Sequence, residues 1–477
     1  MARPGQQVIA GDRLADRIGI GVLAKVFPSE LVDRVISEAG VQEQRKRVLP
    51  TRVAVYFLLA MVLFFQSGYI EVWNKLVAGL DWARRFRQRL SLGMQPSAAA
   101  ITYARQRLGW EVMQALLEEV AGPLAGEESK SAFISGMRLV AVDGMCLDLP
   151  DTDENGAEFG YPRNGERRGP FPQIRVVALA ECGTRGVLGA TTSGLATGEQ
   201  PVTRKLLGKL SPGDLLLADR NFLSHGLLKD VLDRKIHALW RAKNDISLPV
   251  LEVLEDGTYL SRIADPSISR RMRRKGAEEK DIPGITVRVI KYNVEGEDAS
   301  ESSETFTLVT DVLDPAVLSA EQAAVAYASR WQLETCFREL ETSLRGGAAV
   351  VLRSKSPDMI RQEIYAMLCC YQAIRTLISH AASNSGLDPG RISFTRSRDA
   401  IRGRISDSGS FFPLRLEDLI ADLASEITSK RNLVPKRPGR RYARETKRPG
   451  GRYKTRKPGQ SARLTPLTVI RLWSIPP

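Results

Sequence analysis

From residue 10 to residue 125 apolar positions recur with helical period or in helix-length runs, and the segment reads as wholly helical. Its longest apolar run, Val53 to Phe65 in LPTRVAVYFLLAMVLFF, suits a buried helix. That run stops short of the roughly 18 residues that a membrane span needs. Ser97, after Pro96, is placed to cap the next helix, PSAAAITYARQRLGWEVMQALLEEV. Between 136 and 219 the period changes to that of strands: RLVAVDG, QIRVVALAEC, VLGATTSG and GDLLLADRNF surround one helix, EQPVTRKLLGKL. Asp143 and Asp219 each close an all-apolar run, and in open α/β sheets ligands bind at the carboxyl ends of strands. Capping a turn is the plainer task for either acid. Four more strand-like runs follow between 237 and 310, with RRMRRK, Arg270 to Lys275, expected as a basic loop. Two long helices complete the pattern, and the mixture indicates an α/β layer.

The first of those helices contains YASRWQLETCFRELE, Tyr327 to Glu341. At ~100° per residue, Tyr327, Arg330, Glu334 and Glu341 fall within an arc of roughly 60°, beside an apolar stripe of Leu333, Phe337, Leu340 and Leu344. The i,i+4 pairs Glu334 with Arg338 and Glu341 with Arg345 would equally suit an ordinary solvated face.

Charge changes the picture more than composition does. The formal net charge is +14, and Lys430 to Arg463 holds fourteen Lys or Arg against Glu445 alone. This stretch is rich in Pro and Gly and poor in aliphatic residues, so it cannot build a core and is expected to be a basic tail, flexible when unbound. Such a charge density attracts a polyphosphate backbone through counterion release. Arg105 and Arg107 lie on a predicted N-terminal helix, near Arg84, Arg85, Arg87 and Arg89. A helix-turn-helix DNA reader and a helical bundle both fit that segment. The five cysteines form no CxxC pair and read as reduced thiols of a cytosolic protein. Three histidines without ligand spacing make zinc improbable, so any divalent metal would be held by oxygen.

The motifs VDG (142–144), DRNF (219–222) and YASRWQLE (327–334), in that order around a β-rich stretch, resemble the DDE transposases of the insertion element four group. LPTRVAVYFLLAMVLF, YARQRLG and LRSKSP are similar to that group as well, so the resemblance covers most of residues 10–400. It implies a ribonuclease-H-like mixed-sheet α/β core with a β-rich insertion, an all-α N-terminal domain and a basic C-terminal tail. The implied boundaries are 1–125 for the helical DNA-binding domain, 126–236 and 305–425 for the two parts of the core, 237–304 for the insertion and 426–477 for the tail. The implied catalytic and metal-binding residues are Asp143, Asp219 and Glu334, holding two Mg²⁺ ions that Mn²⁺ can replace. The implied DNA contacts are Tyr327, Arg330, Arg220, Arg345, Lys355, Arg105 and Arg107, with Arg440 and Arg441 in the tail.

The group's hallmark is Tyr, two residues, Arg, three residues, Glu, six residues, Lys; here Glu341 stands where the lysine is expected, with Arg345 or Lys355 as candidates to supply the charge. The expected reaction is cut-and-paste transposition, by metal-dependent strand cleavage and 3′-hydroxyl strand transfer. Its partners would be double-stranded DNA, as terminal inverted repeats and target, and a second copy of the chain on paired ends. The expected location is the bacterial cytoplasm, on the nucleoid, without membrane contact. A catalytically decayed DNA-binding or regulatory protein and a nuclease of the same fold remain the alternatives. A tyrosine recombinase is disfavoured, because it would gather Arg and His around its nucleophile.

Overall fold

The protein was analysed as a computed structural model, which describes residues 20–43, 49–77, 96–126, 129–243, 246–294, 304–347, 350–405, 416–434 and 470–472. The chain forms two compact units. The first comprises Met1–Ala132, Ala141–Leu210 and Trp331–Val434; the second comprises Phe133–Val140, Ser211–Arg330 and Pro435–Pro477.

The first unit is built around the Pro357–Asn384 helix, whose Pro357 occupies the first turn, where a missing N–H costs nothing. Against it pack the helices Thr51–Leu63 and Glu111–Val120. Every residue from Val53 to Leu63 is buried, because the run offers no polar face to turn outward. Each such leucine contributes about 1.5–3 kcal/mol by leaving water. The expected cap is present: the Ser97 hydroxyl accepts from the Ala100 N–H at 3.1 Å and starts the Ala98–Leu108 helix. The N-terminal helices therefore bury their apolar faces on a helix that lies more than 200 residues later in sequence. Strands Gln173–Glu181 and Val187–Gly194 pair antiparallel in the same unit, joined by a tight turn with Gly183 at φ +90°.

The second unit carries a mixed sheet. Leu215–Ala218 runs parallel to His237–Arg241, and the Glu304–Thr310, Gly284–Val294, Tyr259–Ala264 and Glu252–Val253 strands follow in antiparallel order. Fully buried Arg288 braces this sheet, donating to Thr258 Oγ1 at 2.8 Å, to the Leu318 carbonyl at 2.6 Å and to Asp256 at 2.5 Å.

Three expectations change. The strand that includes Asp143 does not end there; it runs from Met137 to Asp148, with Leu147 buried beyond the acid. RRMRRK is not a loop: Pro266–Arg274 is a helix, capped by Asp265 accepting from the Ser267 and Ile268 N–H groups at 2.8 and 3.2 Å. The single helix expected from Tyr327 to Glu341 is three pieces, Ala320–Ser329, Trp331–Arg338 and a π-helical turn Glu339–Leu344. A constant 100° step therefore does not hold across the stretch. The architecture is a mixed α/β fold with a large mixed sheet and a helical N-terminal region; the basic stretch 435–469 lies outside the described residues.

Candidate functional site

In the second unit, Asp219 follows directly on the Leu215–Ala218 strand. Its Oδ1 accepts from the Asn221 N–H at 2.8 Å, so the acid does close the turn that its sequence position suggested. It is half-buried, and Arg220 beside it is exposed. The parallel register pairs Ala218 with Trp240, which puts the next residues, Asp219 and Arg241, level at the ends of their strands.

Tyr327 and Arg330 belong to this cluster. Tyr327 is buried, its ring set edge-on to Phe306 with centroids 6.4 Å apart, while the Arg241 guanidinium lies 4.3 Å over the Phe306 ring. The Arg330 guanidinium lies 5.9 Å from the Tyr327 ring. Burial pushes the Tyr327 phenol above its ordinary range; Arg330 and Arg241 oppose that and the Asp219 charge adds to it. Asp219 and Arg330 are thus both within electrostatic reach of the Tyr327 phenol. Arg241 was not anticipated from sequence, where it is one arginine at the end of HALWR.

In the first unit, Asp143 is half-buried and its Oδ1 accepts from the Gly144 N–H at 2.8 Å. A Cβ at Gly144 would meet Glu199 Oε1 at 2.5 Å, so a second carboxylate lies over the backbone next to Asp143. Glu199 too was missed; it reads only as the first residue of a helix. Glu334 is half-buried in the first turn of the Trp331–Arg338 helix, where an acid complements the helix dipole.

The helix bearing Glu334 is fastened at both ends. Gln332 Oε1 accepts from the Gly183 N–H at 2.7 Å. Glu339 accepts from Arg185 at 3.1 Å, from the Tyr371 hydroxyl at 3.1 Å and from Arg375. Burial pulls the Arg375 pKa down, but the charges and hydrogen bonds of Glu339 and Tyr371 together outweigh it and hold the guanidinium above its usual range. Nearby, burial pushes the Cys336 thiol up to about 12.

Glu341, at the position expected to be lysine, pairs with Arg345 at 2.9 Å. Arg345 is almost fully buried, and burial lowers its pKa against the opposing charges of Glu341 and Asp148. It is therefore turned inward and held by Glu341, contrary to the expectation that it presents a replacement charge to DNA. Lys355 is exposed. Arg105 is likewise turned inward rather than toward DNA: fully buried, it donates to Gln362 at 3.0 Å, to Ser354 at 2.8 Å and to Tyr69. Arg107 on the same helix is exposed. Arg440 and Arg441, like Arg84, Arg85, Arg87 and Arg89, lie outside the described residues.

Asp143 and Glu334 belong to the first unit and Asp219 to the second. All three are half-buried carboxylates, hard oxygen donors of the kind that Mg²⁺ prefers. Among the described residues, no group of three His, Cys, Asp or Glu side chains is gathered to hold a metal ion. No described helix is long and apolar enough to cross a membrane. The described cysteines are free thiols, four of them buried.

Comparison with known proteins identifies two matched regions. Residues 17–118 match the insertion element 4 transposase N-terminal model, and residues 134–373 match the transposase DDE domain model. The chain is 26% identical over 407 residues to the transposase InsG for insertion sequence element IS4 of Escherichia coli K12, covering 84% of this chain and 87% of that protein. It is 27% identical over 221 residues to the putative transposase InsZ of the same organism, covering 46% of this chain and 70% of that one. A solved piggyBac transposase synaptic complex with hairpin DNA aligns over 86% of this chain and 87% of its own at 12% identity and a TM-score of 0.41, too distant to argue from. With a helical region and a DDE domain matched in this order over most of its length, the chain belongs to the insertion element 4 family of DDE transposases.

Proposed function

We propose that this protein excises and inserts its element by cut-and-paste, with Asp143, Asp219 and Glu334 as the catalytic and metal-holding acids. The observation that carries the reading is the second unit's cluster: Asp219 at a strand end and Arg330 both act electrostatically on the buried Tyr327 of the family motif. Two divalent ions held by the three carboxylates would activate the attacking oxygen and stabilise the leaving one. Mg²⁺ is the proposed ion, with Mn²⁺ able to replace it, since both accept oxygen ligands. The chain's own residues supply the rest. Arg330, carried beside the buried Tyr327 ring, is proposed to donate to a phosphate at the DNA end, a task to which the forked guanidinium is suited. Arg220, Arg107 and Lys355, all exposed, are proposed to contact the backbone of the element's ends or of the target. Arg345 and Arg105 are reassigned to structure, since each guanidinium is buried. The tail that contains Arg440 and Arg441 is proposed to add sequence-independent attraction. A dimer on paired ends, working on the nucleoid, completes the proposal.

The test is strand cleavage and strand transfer on DNA carrying the element's own ends. Mg²⁺-dependent nicking followed by joining of 3′ ends to target is expected. Cleavage without joining would make the protein a nuclease. The inward pairing of Glu341 with Arg345 favours one second reading, a decayed copy that binds ends without cutting them. That reading predicts binding but no nicking in either Mg²⁺ or Mn²⁺.

A further inference from the structure

The Pro266–Arg274 helix lies at the surface of the second unit, with Ser269 as its one buried residue, and it borders a cleft of about 700 Å³. Arg262, Arg270, Arg273 and Arg274 line that cleft, and among the described residues that line it Glu279 is the one acid. Glu279 is held by Arg273, bonded at 2.8 Å, and by the Ser247 hydroxyl at 3.1 Å. Arg262 donates from its guanidinium Nη1 to the Lys280 carbonyl at 3.1 Å, which fixes the guanidinium at the cleft wall. Arg270, Arg271, Arg273, Arg274 and Lys275 are all exposed, five cations within six residues.

A solvated helix end is the plain alternative. The helix dipole favours cations in the last turn, which accounts for Arg271, Arg273 and Arg274. It does not account for Arg270 above that turn, nor for Arg262 on the neighbouring Tyr259–Ala264 strand, both aimed at the same cleft. The one acid among the described residues that line the cleft, Glu279, is already matched by Arg273, so the lining keeps an excess of positive charge that attracts anions. The cleft is many times larger than the ~10–15 Å³ that a single water site needs.

We propose that this cleft binds the sugar-phosphate backbone of duplex DNA, with Arg270 and Arg274 as paired phosphate contacts and Arg262 opposite them. The proposal rests on the reading of the protein as one that acts on DNA, and it assigns to the helix a contact independent of base sequence. Phosphate contacts of this kind position a duplex without reading it.

The experiment measures the dissociation constant of the full-length protein for a duplex carrying its element's end, and for a scrambled duplex, over a series of salt concentrations. The double variant Arg270→Glu/Arg274→Glu is expected to bind both duplexes roughly tenfold more weakly at 0.1 M salt. The slope of log affinity against log salt should fall by about two, since each phosphate contact contributes ~0.9. The neutral pair Arg270→Gln/Arg274→Gln should show about the same loss of slope at an unchanged melting temperature, and it carries the test if charge reversal disturbs folding. Unchanged affinity and slope in that neutral pair, with wild type binding DNA normally, would overturn the cleft assignment and leave the transposase reading intact. Wild-type protein that shows no salt-dependent affinity for duplex would instead overturn the broader reading.

Discussion

Asp219 does two things with one side chain. One oxygen closes the turn with Asn221, and its charge acts on the buried Tyr327 phenol. Replacing Asp143 or Asp219 by Asn, or Glu334 by Gln, keeps size and local hydrogen bonding but removes the charge that a divalent ion requires. Each variant is expected to lose metal-dependent nicking by at least ~10²-fold, judging from what single transition-state contacts contribute, while end-DNA affinity stays within about twofold. Gel assays for nicking and for binding check both outcomes; nicking that survives at wild-type rate in any one variant removes that acid from the set. Arg105 makes the opposite case. Arg105→Ala would strand Gln362 and Ser354 in the interior, so a stability loss of about 2–4 kcal/mol in urea is expected. An Arg105→Ala protein of unchanged stability but weakened DNA binding would return that residue to the interface. The inward turn of Arg105 was not legible, because two of its partners, Gln362 and Ser354, stand about 250 residues away. Asp143 and Asp219 were legible as acids after apolar runs, whereas Glu199 and Arg241 had no local signal.

At the scale of elements, the Glu334-bearing helix owes its position to its flanks. The π turn begins at Glu339, which gathers Arg185, Tyr371 and Arg375 in the interior. Such a turn depends on tertiary partners, so no local periodicity announced it. Glu339→Gln leaves fully buried Arg375 without its counterion, and about 3–5 kcal/mol of destabilisation is expected. A melting temperature within a degree of wild type would show that the network does not hold the helix. The continuation of the strand past Asp143 had a signal, since Met145 and Leu147 keep the alternation going. The RRMRRK helix had one too, Asp265 before Pro266, a cap and a first-turn proline.

In the second unit, burial raises the Asp256 carboxyl pKa, but the Thr258 hydroxyl and N–H bonds and Arg288 outweigh it and hold the group below its ordinary value. Burial pulls Arg288 the other way, yet a guanidinium stays protonated throughout the acid range, so the carboxylate sets the pH response. A depressed carboxyl pKa contributes stability that is complete above the unfolded value near ~3.9 and is lost as pH falls through the folded one. Acid titration followed by fluorescence should therefore unfold the second unit below about pH 4. Asp256→Asn should remove that part of the pH dependence while lowering stability at neutral pH; an unchanged acid transition in this variant would contradict the linkage.

For the whole molecule, the basic stretch was the most legible feature and the arrangement of the acids the least. Charge is additive along a sequence, whereas the proposed sharing of an ion by Asp143, Asp219 and Glu334, far apart in the chain, has no local signal. Replacing the Lys and Arg residues from Lys436 to Lys457 by Gln is expected to weaken binding to every duplex alike and to flatten its salt dependence. The melting temperature should not change. A loss confined to the element's own ends would instead give the stretch a part in sequence recognition.

Whether the three acids share divalent ions can be read by letting Fe²⁺ replace Mg²⁺ on the full-length protein bound to its end DNA. Ascorbate and peroxide then cut the polypeptide within a few ångströms of the metal, and the fragments are sized by mass spectrometry. Cuts near residues 143, 219 and 334 together, competed away by Mg²⁺ and reduced at all three places by Asp219→Asn, are predicted. Cuts at one of the three segments alone, or at none, would contradict a shared metal centre.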